Sequence, residues 1–344
     1  MKALFSVFVL TLLTTKIVAQ DIHLLQYNSS PQNLNPAQTG LFDGDWRLVG
    51  NYRTQWSAIP VPYNTYSMSA DTRLNTLPPI LQNYFKTTVP ALGLVVNSDK
   101  AGDSKLSTTQ LLLSASCIKK LTKDSTHFIS VGIQPGITNK SFNTDALTFD
   151  NQYNGTSYNP NLSSGEHFNS TSITYFDLGA GVAYYWEKTA RKKLNIGASV
   201  FHINSPNQSF FLVTSVKLAT KINFSGTAEF PITSKIDLLP SFLYQHQGTF
   251  EETLLGLSGK YYLAPINGMT TAVSLGAFYR AKDAWSLMAN LYYKNFNVGI
   301  SYDINTSQLN VATNNRGALE LSVIYILKKI RPFVAKKRVC PIDM

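Results

Sequence analysis

The sequence has few of the residues on which disulfide scaffolds, zinc modules and helical membrane proteins depend. Its 344 residues include only 2 cysteines and 5 histidines, which excludes a disulfide scaffold and a Cys/His zinc module. Charged residues make up 15%, against about 25% in an ordinary soluble domain. The mean hydropathy of -0.06 excludes a protein with several membrane-spanning helices, each of which needs about 20 apolar residues. A membrane β-barrel stays open, because its alternating strands average to neutral hydropathy.

Motifs of common catalytic sites are also missing from the sequence. It contains no Gly-x-Ser-x-Gly elbow, no His-Glu-x-x-His and no phosphate-cradling glycine loop before a helix. The histidines lie far apart, without ligand spacing. We therefore predict no enzymatic activity, no cofactor and no metal. The formal net charge of +10 raises the question of nucleic acid. Many basic residues, however, lie at predicted turns and in the C-terminal tail without interleaved aromatic residues, so we predict no nucleic-acid partner.

Residues 1–19 have the pattern of a secretory signal. Lys2 supplies a basic start, Ala3 to Leu13 form a mostly apolar run, and a more polar stretch ends at the small residue Ala19. The apolar run is too short to span a bilayer. We therefore predict that this segment is removed after Ala19 and that the mature chain begins at Gln20.

Beyond the signal, apolar residues recur with period two rather than with helical spacing. In residues 175–186, for example, one face is apolar with an aromatic end, and the other face is mostly small or polar. Alternation alone fits either a soluble sandwich or a membrane barrel. Three features favour the barrel: strands of about 10–14 residues, faces that end in Tyr or Trp, and opposite faces rich in Gly, Ser and Asn.

The pattern predicts an all-β fold, a transmembrane antiparallel β-barrel of about 14 strands over residues 45–328. Such an even number predicts that both termini are periplasmic and that the long connection 139–172 is extracellular. Residues 20–44 are predicted to be a periplasmic, plug-like segment, and residues 329–344 a basic periplasmic tail. The predicted strands are 45–56, 63–74, 88–98, 105–118, 126–138, 173–187, 192–203, 214–230, 234–246, 251–263, 270–280, 284–293, 296–305 and 316–328.

The N-terminal part of the chain carries a compound signature. Its pieces are Gln20-Asp21-x-His23, Gln26-Tyr27, Leu34-Asn35-Pro36-Ala37, Gly40 and Asn51-Tyr52-Arg53-x-Gln55-Trp56. Taken together, they resemble the opening of the PorP/SprF family of the Bacteroidetes type IX secretion system. The resemblance implies a cell outer membrane barrel without enzymatic activity that serves protein transport and, in some members, gliding motility.

The same resemblance implies two kinds of partner besides the lipid bilayer. Core members act with type IX secretion components in the periplasm and outer membrane. Paralogues serve one secreted adhesin, whose C-terminal sorting domain they help to export or to anchor. The alternative function, which rests on the barrel alone, is a general or substrate-specific outer-membrane diffusion channel. The signature residues to which the resemblance gives no definite role are Asn35, Pro36, Ala37, Gly40, Asn51, Tyr52, Arg53, Gln55 and Trp56.

Alternation assigns the polar face of two predicted strands to the lumen. An arginine that faced lipid would cost about 2–4 kcal/mol, so the arginines of the first strand are predicted to point inward. There they either bind a cargo segment or, as we favour, pair with lumen acids such as Asp71. Residues 34–40 are predicted to be a plug-like or docking turn beneath the barrel, or else a plain loop. The residues predicted to face the lumen are Arg47, Asn51, Arg53, Gln55, Lys217, Lys221 and Glu229, with Leu218 and Ile222 facing lipid.

The basic tail yields the first testable prediction. Its excess of cations suits a docking peptide for an acidic periplasmic partner, and the alternative is a solvated end. Deletion of residues 331–344 should leave a folded, heat-modifiable barrel in the outer membrane, while protein export or adhesin display falls. Full export by the truncated protein would show that the tail does not dock. Loss of the barrel would instead assign the tail to folding or assembly.

Overall fold

The computed structural model describes residues 21–55, 62–74, 88–145, 147–166, 170–211, 215–263, 271–306 and 316–328. These residues form a closed antiparallel barrel of 14 strands, in which each strand pairs with its sequence neighbours and the last pairs with the first. The predicted architecture and strand number are confirmed. The strands are β1 Trp46–Gln55, β2 Tyr63–Arg73, β3 Thr88–Ala101, β4 Leu106–Lys120, β5 His127–Ser141, β6 Ser172–Thr189, β7 Lys192–Phe201, β8 Lys221–Pro231, β9 Ile236–Gln247, β10 Phe250–Tyr262, β11 Thr271–Arg280, β12 Ala284–Tyr293, β13 Phe296–Asn305 and β14 Arg316–Leu327.

Side chains alternate between an apolar outer face and a polar inner face along every strand. On β4, Leu111 and Leu113 point outward and are exposed, whereas Leu112 and Ser114 point inward and are buried. The outer face carries large exposed apolar residues all round the barrel, for instance Leu275 with 70% of its surface exposed. A band of this kind is typical of a barrel that turns its outer face to lipid. Within the described ranges no helix has the length and apolar character needed to cross a membrane.

The barrel has two rims with connections of different length. We call the rim where β1 begins and β14 ends the near rim; there Trp46 pairs with Leu327. The connections 190–191 and 294–295 lie at this rim. The opposite, far rim carries the connections 142–171 and 202–220. The long connections therefore lie at the rim that the sequence predicted, although short connections such as 248–249 also occur there.

One predicted strand is too long. The alternation in residues 214–230 predicted a single strand, but β8 begins only at Lys221. The preceding residues bond to their own connection instead, since Leu218 N donates to Pro206 O at 2.9 Å. Leu218 is consequently buried at 4% exposure rather than facing lipid, and Lys217 is exposed outside the strand. From Lys221 onward the predicted faces are correct.

Residues 21–45 pass through the interior of the barrel, and we call this segment the plug. It contains a 3-10 turn at Tyr27–Ser29, the short helix α1 at Pro31–Leu34 and a second 3-10 turn at Pro36–Gln38. The plug begins at the far rim, where Asp21 contacts the residue after β7 and the start of β8. It ends at the near rim, where Asp45 N donates to Leu327 O at 2.9 Å.

The position of the plug differs from the expected position of the N-terminal segment. A periplasmic segment beneath the barrel would place both ends of the chain at one rim. Asp21, the first described residue, lies at the far rim, and Lys328, the last described residue, lies at the near rim next to Asp43. The two ends of the described chain therefore lie at opposite rims, while the termini to which the prediction refers lie outside the described residues. The predicted signal and the basic tail lie outside the described residues.

The alternation of faces predicts the chemical reactivity of introduced cysteines. In a background in which Cys117 and Cys340 are replaced by alanine, Leu113→Cys should react with a bilayer-soluble maleimide. Ser114→Cys, one position along the same strand, should react with no reagent until the protein is denatured, because the plug covers it. Mass spectrometry of the labelled protein measures both reactions. Labelling of the serine position in the bilayer phase would refute the assigned faces.

Candidate functional site in the plugged lumen

An ionic cluster holds the plug at the far rim. The carboxylate of Asp21 lies 2.6 Å from Nε2 of His202, just past the end of β7, and 3.8 Å from Nζ of Lys221. The other ring nitrogen of His202, Nδ1, lies 2.8 Å from the carboxylate of Asp177 on β6. The backbone N–H of Asp21 also donates to Gln247 on β9 at 3.2 Å. Four neighbouring strands of the wall, β6 to β9, therefore contribute to the site that holds the first residue of the plug.

The two carboxylates set the charge of this cluster. Burial by itself lowers the pKa of His202, but Asp21 and Asp177 outweigh that effect and raise the pKa to about 9. Burial likewise raises the pKa of Asp21, but the charge and hydrogen bond of His202 hold it well below its usual range. The cluster is therefore an imidazolium between two carboxylates at neutral pH, which is the form that a buried ion pair requires.

A network of buried charges holds the next part of the plug, in the half of the lumen beside the far rim. Both oxygens of the Glu320 carboxylate accept consecutive backbone N–H groups of the plug, from Leu25 at 2.6 Å and from Gln26 at 2.9 Å. The same carboxylate forms an ion pair with Arg53, which has only 1% of its surface exposed. Three further ion pairs continue around the wall, and each shares a residue with the one before: Arg53 with Asp303, Asp303 with Arg280, and Arg280 with Glu252.

A turn of the plug rests on a surface of glycines. The side chain of Asn35 accepts a hydrogen bond from Ala37 N at 2.9 Å, which caps the second 3-10 turn. Its amide group donates to backbone carbonyls of β6 and β7. The wall beneath this turn has a glycine, Gly132, where any side chain would clash with the backbone of Pro36. Any residue larger than glycine would push the plug away from the wall here.

Glycines at two further positions of the wall serve the same turn. A side chain at Gly181 or Gly197 would clash with the side chain of Asn35. These glycines lie on neighbouring strands, β6 and β7, and pair close together in the sheet. The many glycines on the inner faces are therefore explained in part by the approach of the plug, and not only by a general preference of a lumen for small residues.

Asp71 holds the plug at the near rim. Its carboxylate accepts the backbone N–H of Gly40 at 2.7 Å and two bonds from the guanidinium of Arg47, at 2.7 and 2.9 Å. Arg47 also donates to the carbonyl of Gln38 at 3.0 Å. Gly40 has φ of 74°, a left-handed backbone that favours glycine. The pairing of Arg47 with Asp71 is the one that the sequence suggested.

Most of the signature residues that the structure describes belong to the plug or to its seat. The side chain of Asn51 donates to Ser29 O at 3.2 Å. Tyr52 differs, since it points outward and its ring lies 4.9 Å from that of Tyr66. Gln55 ends β1 at the far rim, half-buried, and Trp56 lies outside the described residues. The signature residues within the plug are Asn35, Pro36, Ala37 and Gly40, and those on the wall around it are Asn51 and Arg53.

Sequence reasoning missed the charged residues that complete this site. Glu320 is 295 positions away from Leu25, and no short motif marks Asp303, Arg280 or Glu252. The available signal was the presence of lone charged residues on otherwise uncharged inner faces, because a lumen charge needs a partner. Within the described residues no group of three or more histidine, cysteine or carboxylate side chains is arranged to hold a metal ion.

A cavity of about 290 Å³ separates the plug from part of the wall on the near-rim side. The plug contributes Leu25 and Leu41, among others, and the wall contributes aromatic, amide and charged side chains. Two buried amide oxygens of its lining, Oδ1 of Asn195 and of Asn297, have no hydrogen-bond partner among the described residues. We call this cavity the vestibule. Three smaller cavities lined by described residues hold 20 to 30 Å³ each.

Together these features define a class: a transmembrane β-barrel whose lumen is filled by its own N-terminal segment. The chain belongs to the family of type IX secretion system membrane proteins PorP/SprF, whose model matches residues 17–325. This is the family that the N-terminal signature resembles. No curated protein matches the chain.

Several solved structures have a similar fold at low identity. The CymD monoaromatic hydrocarbon channel is 9% identical, with a TM-score of 0.49 over 88% of this chain and 94% of that chain. A FadL homologue from Pseudomonas aeruginosa is 11% identical, with a TM-score of 0.46 over 85% and 92%. CdiB from Escherichia coli is 9% identical, with a TM-score of 0.43 over 81% and 63%. Likenesses this distant carry no argument about function.

The network around Glu320 predicts a large loss of stability on truncation. Glu320→Ala removes the acceptor of two plug N–H groups and a partner of Arg53, so the free energy of unfolding should fall by roughly 3–5 kcal/mol. Glu187→Ala is the matched control, because its ion pair with Lys193 is partly exposed and should contribute at most about 1 kcal/mol. Urea unfolding in detergent, followed by tryptophan fluorescence, measures both. Equal losses would contradict the anchoring role of Glu320.

The far-rim cluster predicts that attachment of the plug depends on pH. The pKa of His202 is about 9 in the folded protein and about 6.5 when exposed, so its contribution is complete below pH 6.5 and lost as pH rises through 9. The contribution is at most about 3 kcal/mol. The charged groups around the ring are Asp21, Asp177 and Lys221. Thermal unfolding between pH 6 and 10 should show this fall, and His202→Gln should remove it. If the stability of His202→Gln falls with pH as much as that of the unmodified protein, the cluster is not the cause of the fall.

Proposed function

We propose that this protein is a closed outer-membrane component of type IX secretion, which acts by binding other proteins and not by passing solutes. The observation that carries the proposal is the plug, which fills the lumen from rim to rim and makes hydrogen bonds or ion pairs with the wall at each level. Family membership supplies the secretion role. In this proposal the signal segment is removed during export to the outer membrane, and the protein has no enzymatic activity.

The diffusion channel, our alternative from the sequence, has less support from the geometry. Besides the vestibule, three cavities between plug and wall have room for about one water each. The plug is also attached through buried charges, as between Arg53 and Glu320, whose separation would leave ions unpaired in the interior. An open pore would require this segment to leave the lumen.

The two kinds of partner implied by the sequence remain part of the proposal. Periplasmic components of the machine would approach the near rim, if the short connections face the periplasm as is usual for such barrels. The vestibule lies on that side, between the plug and the wall. The C-terminal sorting domain of an exported adhesin is the second kind of partner, either during export or while the adhesin is anchored.

A liposome-swelling assay tests whether the barrel is closed. Vesicles that contain the unmodified protein should swell no faster than protein-free vesicles in small sugars. Gly181→Val should raise the swelling rate, because the new side chain displaces Asn35 and the turn of the plug. Gly259→Val is the matched control, since a side chain there meets open space. Rapid swelling with the unmodified protein would favour the channel.

Export in cells tests the secretion role independently. Deletion of the gene should abolish export or surface display of at least one protein with a type IX sorting domain, and reintroduction of the unmodified chain should restore it. Gly181→Val should restore it less well than Gly259→Val at equal amounts of folded barrel. Normal export in the deletion strain, combined with lost uptake of a solute, would replace this proposal by the channel.

A further inference from the structure

The plug runs through the lumen in one direction. Asp21 is held at the far rim by His202 and Lys221, Leu25 and Gln26 bind Glu320 further into the lumen, and later residues reach the near rim. The segment then leaves the lumen and continues into β1 at that rim. A plug that merely dipped into the barrel from the near rim would have to return there, and this one does not. Its beginning therefore lies at the rim opposite to the start of β1.

The path is compatible with the length of the segment. Strands of 10 to 18 residues form the wall. Because such strands tilt, a barrel of this kind spans an apolar layer of about 25 Å. The segment 21–45, fully extended, would reach about 80 Å at roughly 3.3 Å per residue. It crosses the lumen comfortably while it folds into α1 and two 3-10 turns, which shorten it.

The connections indicate which rim faces outward. Membrane barrels have short periplasmic turns and longer extracellular loops. Two-residue turns occur at both rims, 190–191 and 294–295 at the near rim and 248–249 at the far rim, so the long connections carry the distinction. The far rim carries the connections 142–171 and 202–220, and the first of these exposes Tyr153 and Tyr158. This asymmetry assigns the far rim, and the beginning of the plug with it, to the cell surface.

We infer that the N-terminal end of the mature chain passes through its own barrel and is displayed on the outside of the cell. The chain would thus present an attachment point to a polypeptide at the cell surface, next to the long connections, while its other end stays at the near rim. Removal of the signal after Ala19 would leave a single residue, Gln20, before the anchored Asp21. This inference concerns the path of the chain and does not depend on the proposed role in secretion.

The display of the N-terminal end can be tested with single cysteines and a membrane-impermeant maleimide on intact cells. All variants carry Cys117→Ala and Cys340→Ala. Gln20→Cys reports the beginning of the plug, Asn154→Cys reports the far rim, and Lys294→Cys reports the near rim. We expect Gln20→Cys to be labelled as well as Asn154→Cys. Labelling of Lys294→Cys should be lost in intact cells and regained once the outer membrane is permeabilised.

Two outcomes would overturn the inference. If Gln20→Cys follows Lys294→Cys before and after permeabilisation, the chain does not cross the lumen. If Asn154→Cys is the protected site and Lys294→Cys the labelled one, the far rim faces the periplasm and the end is not displayed. Heat-modifiability confirms that each variant is folded. An epitope inserted before Asp21 and detected by antibody gives a second measurement if Gln20→Cys impairs signal removal.

Discussion

The carboxylate of Glu320 is the contact on which the interior of this barrel depends. It accepts two consecutive backbone N–H groups from the plug and also forms the ion pair with Arg53. One side chain therefore joins β14, β1 and the plug. Its neighbours in the network, Asp303 and Arg280, are almost completely buried as well. Buried charges are tolerated only when each has oppositely charged or hydrogen-bonding partners. The plug contributes two of these partners, the N–H groups that donate to Glu320, and it keeps water out. Plug and wall are therefore one folded unit.

The composition of the inner faces follows from the same constraint. Serine, asparagine and glycine are frequent there because the wall must satisfy the backbone of a second chain segment and let it come close. Ser199 donates to Leu34 O at 2.7 Å, and Ser116 donates to Thr39 O at 2.7 Å. Where the plug turns at Asn35, the wall has glycine at 132, 181 and 197, because a side chain there would clash with the turn. A water-filled channel requires polar side chains but has no need for this close fit.

A filled lumen also changes what the family membership means in physical terms. A barrel whose lumen holds its own N-terminal segment presents two rims and a lipid-facing surface. The rims differ: the near rim opens into the vestibule, whereas the far rim holds the first residue of the plug beside the longest connections. The plug connects the two rims by a continuous covalent chain.

The sequence by itself determined the strands, their number and the side that each residue faces, because period-two alternation is a local property. It erred at residues 215–220, where the alternation continues but the backbone bonds within its own connection. It also indicated that Arg47 pairs with Asp71, which face each other on neighbouring strands. Only the tertiary structure decided that residues 21–45 occupy the lumen, that Glu320 receives them and that Gly132, Gly181 and Gly197 give them room. These contacts join residues far apart in the chain, and they exist only after the barrel closes, so no local pattern encodes them.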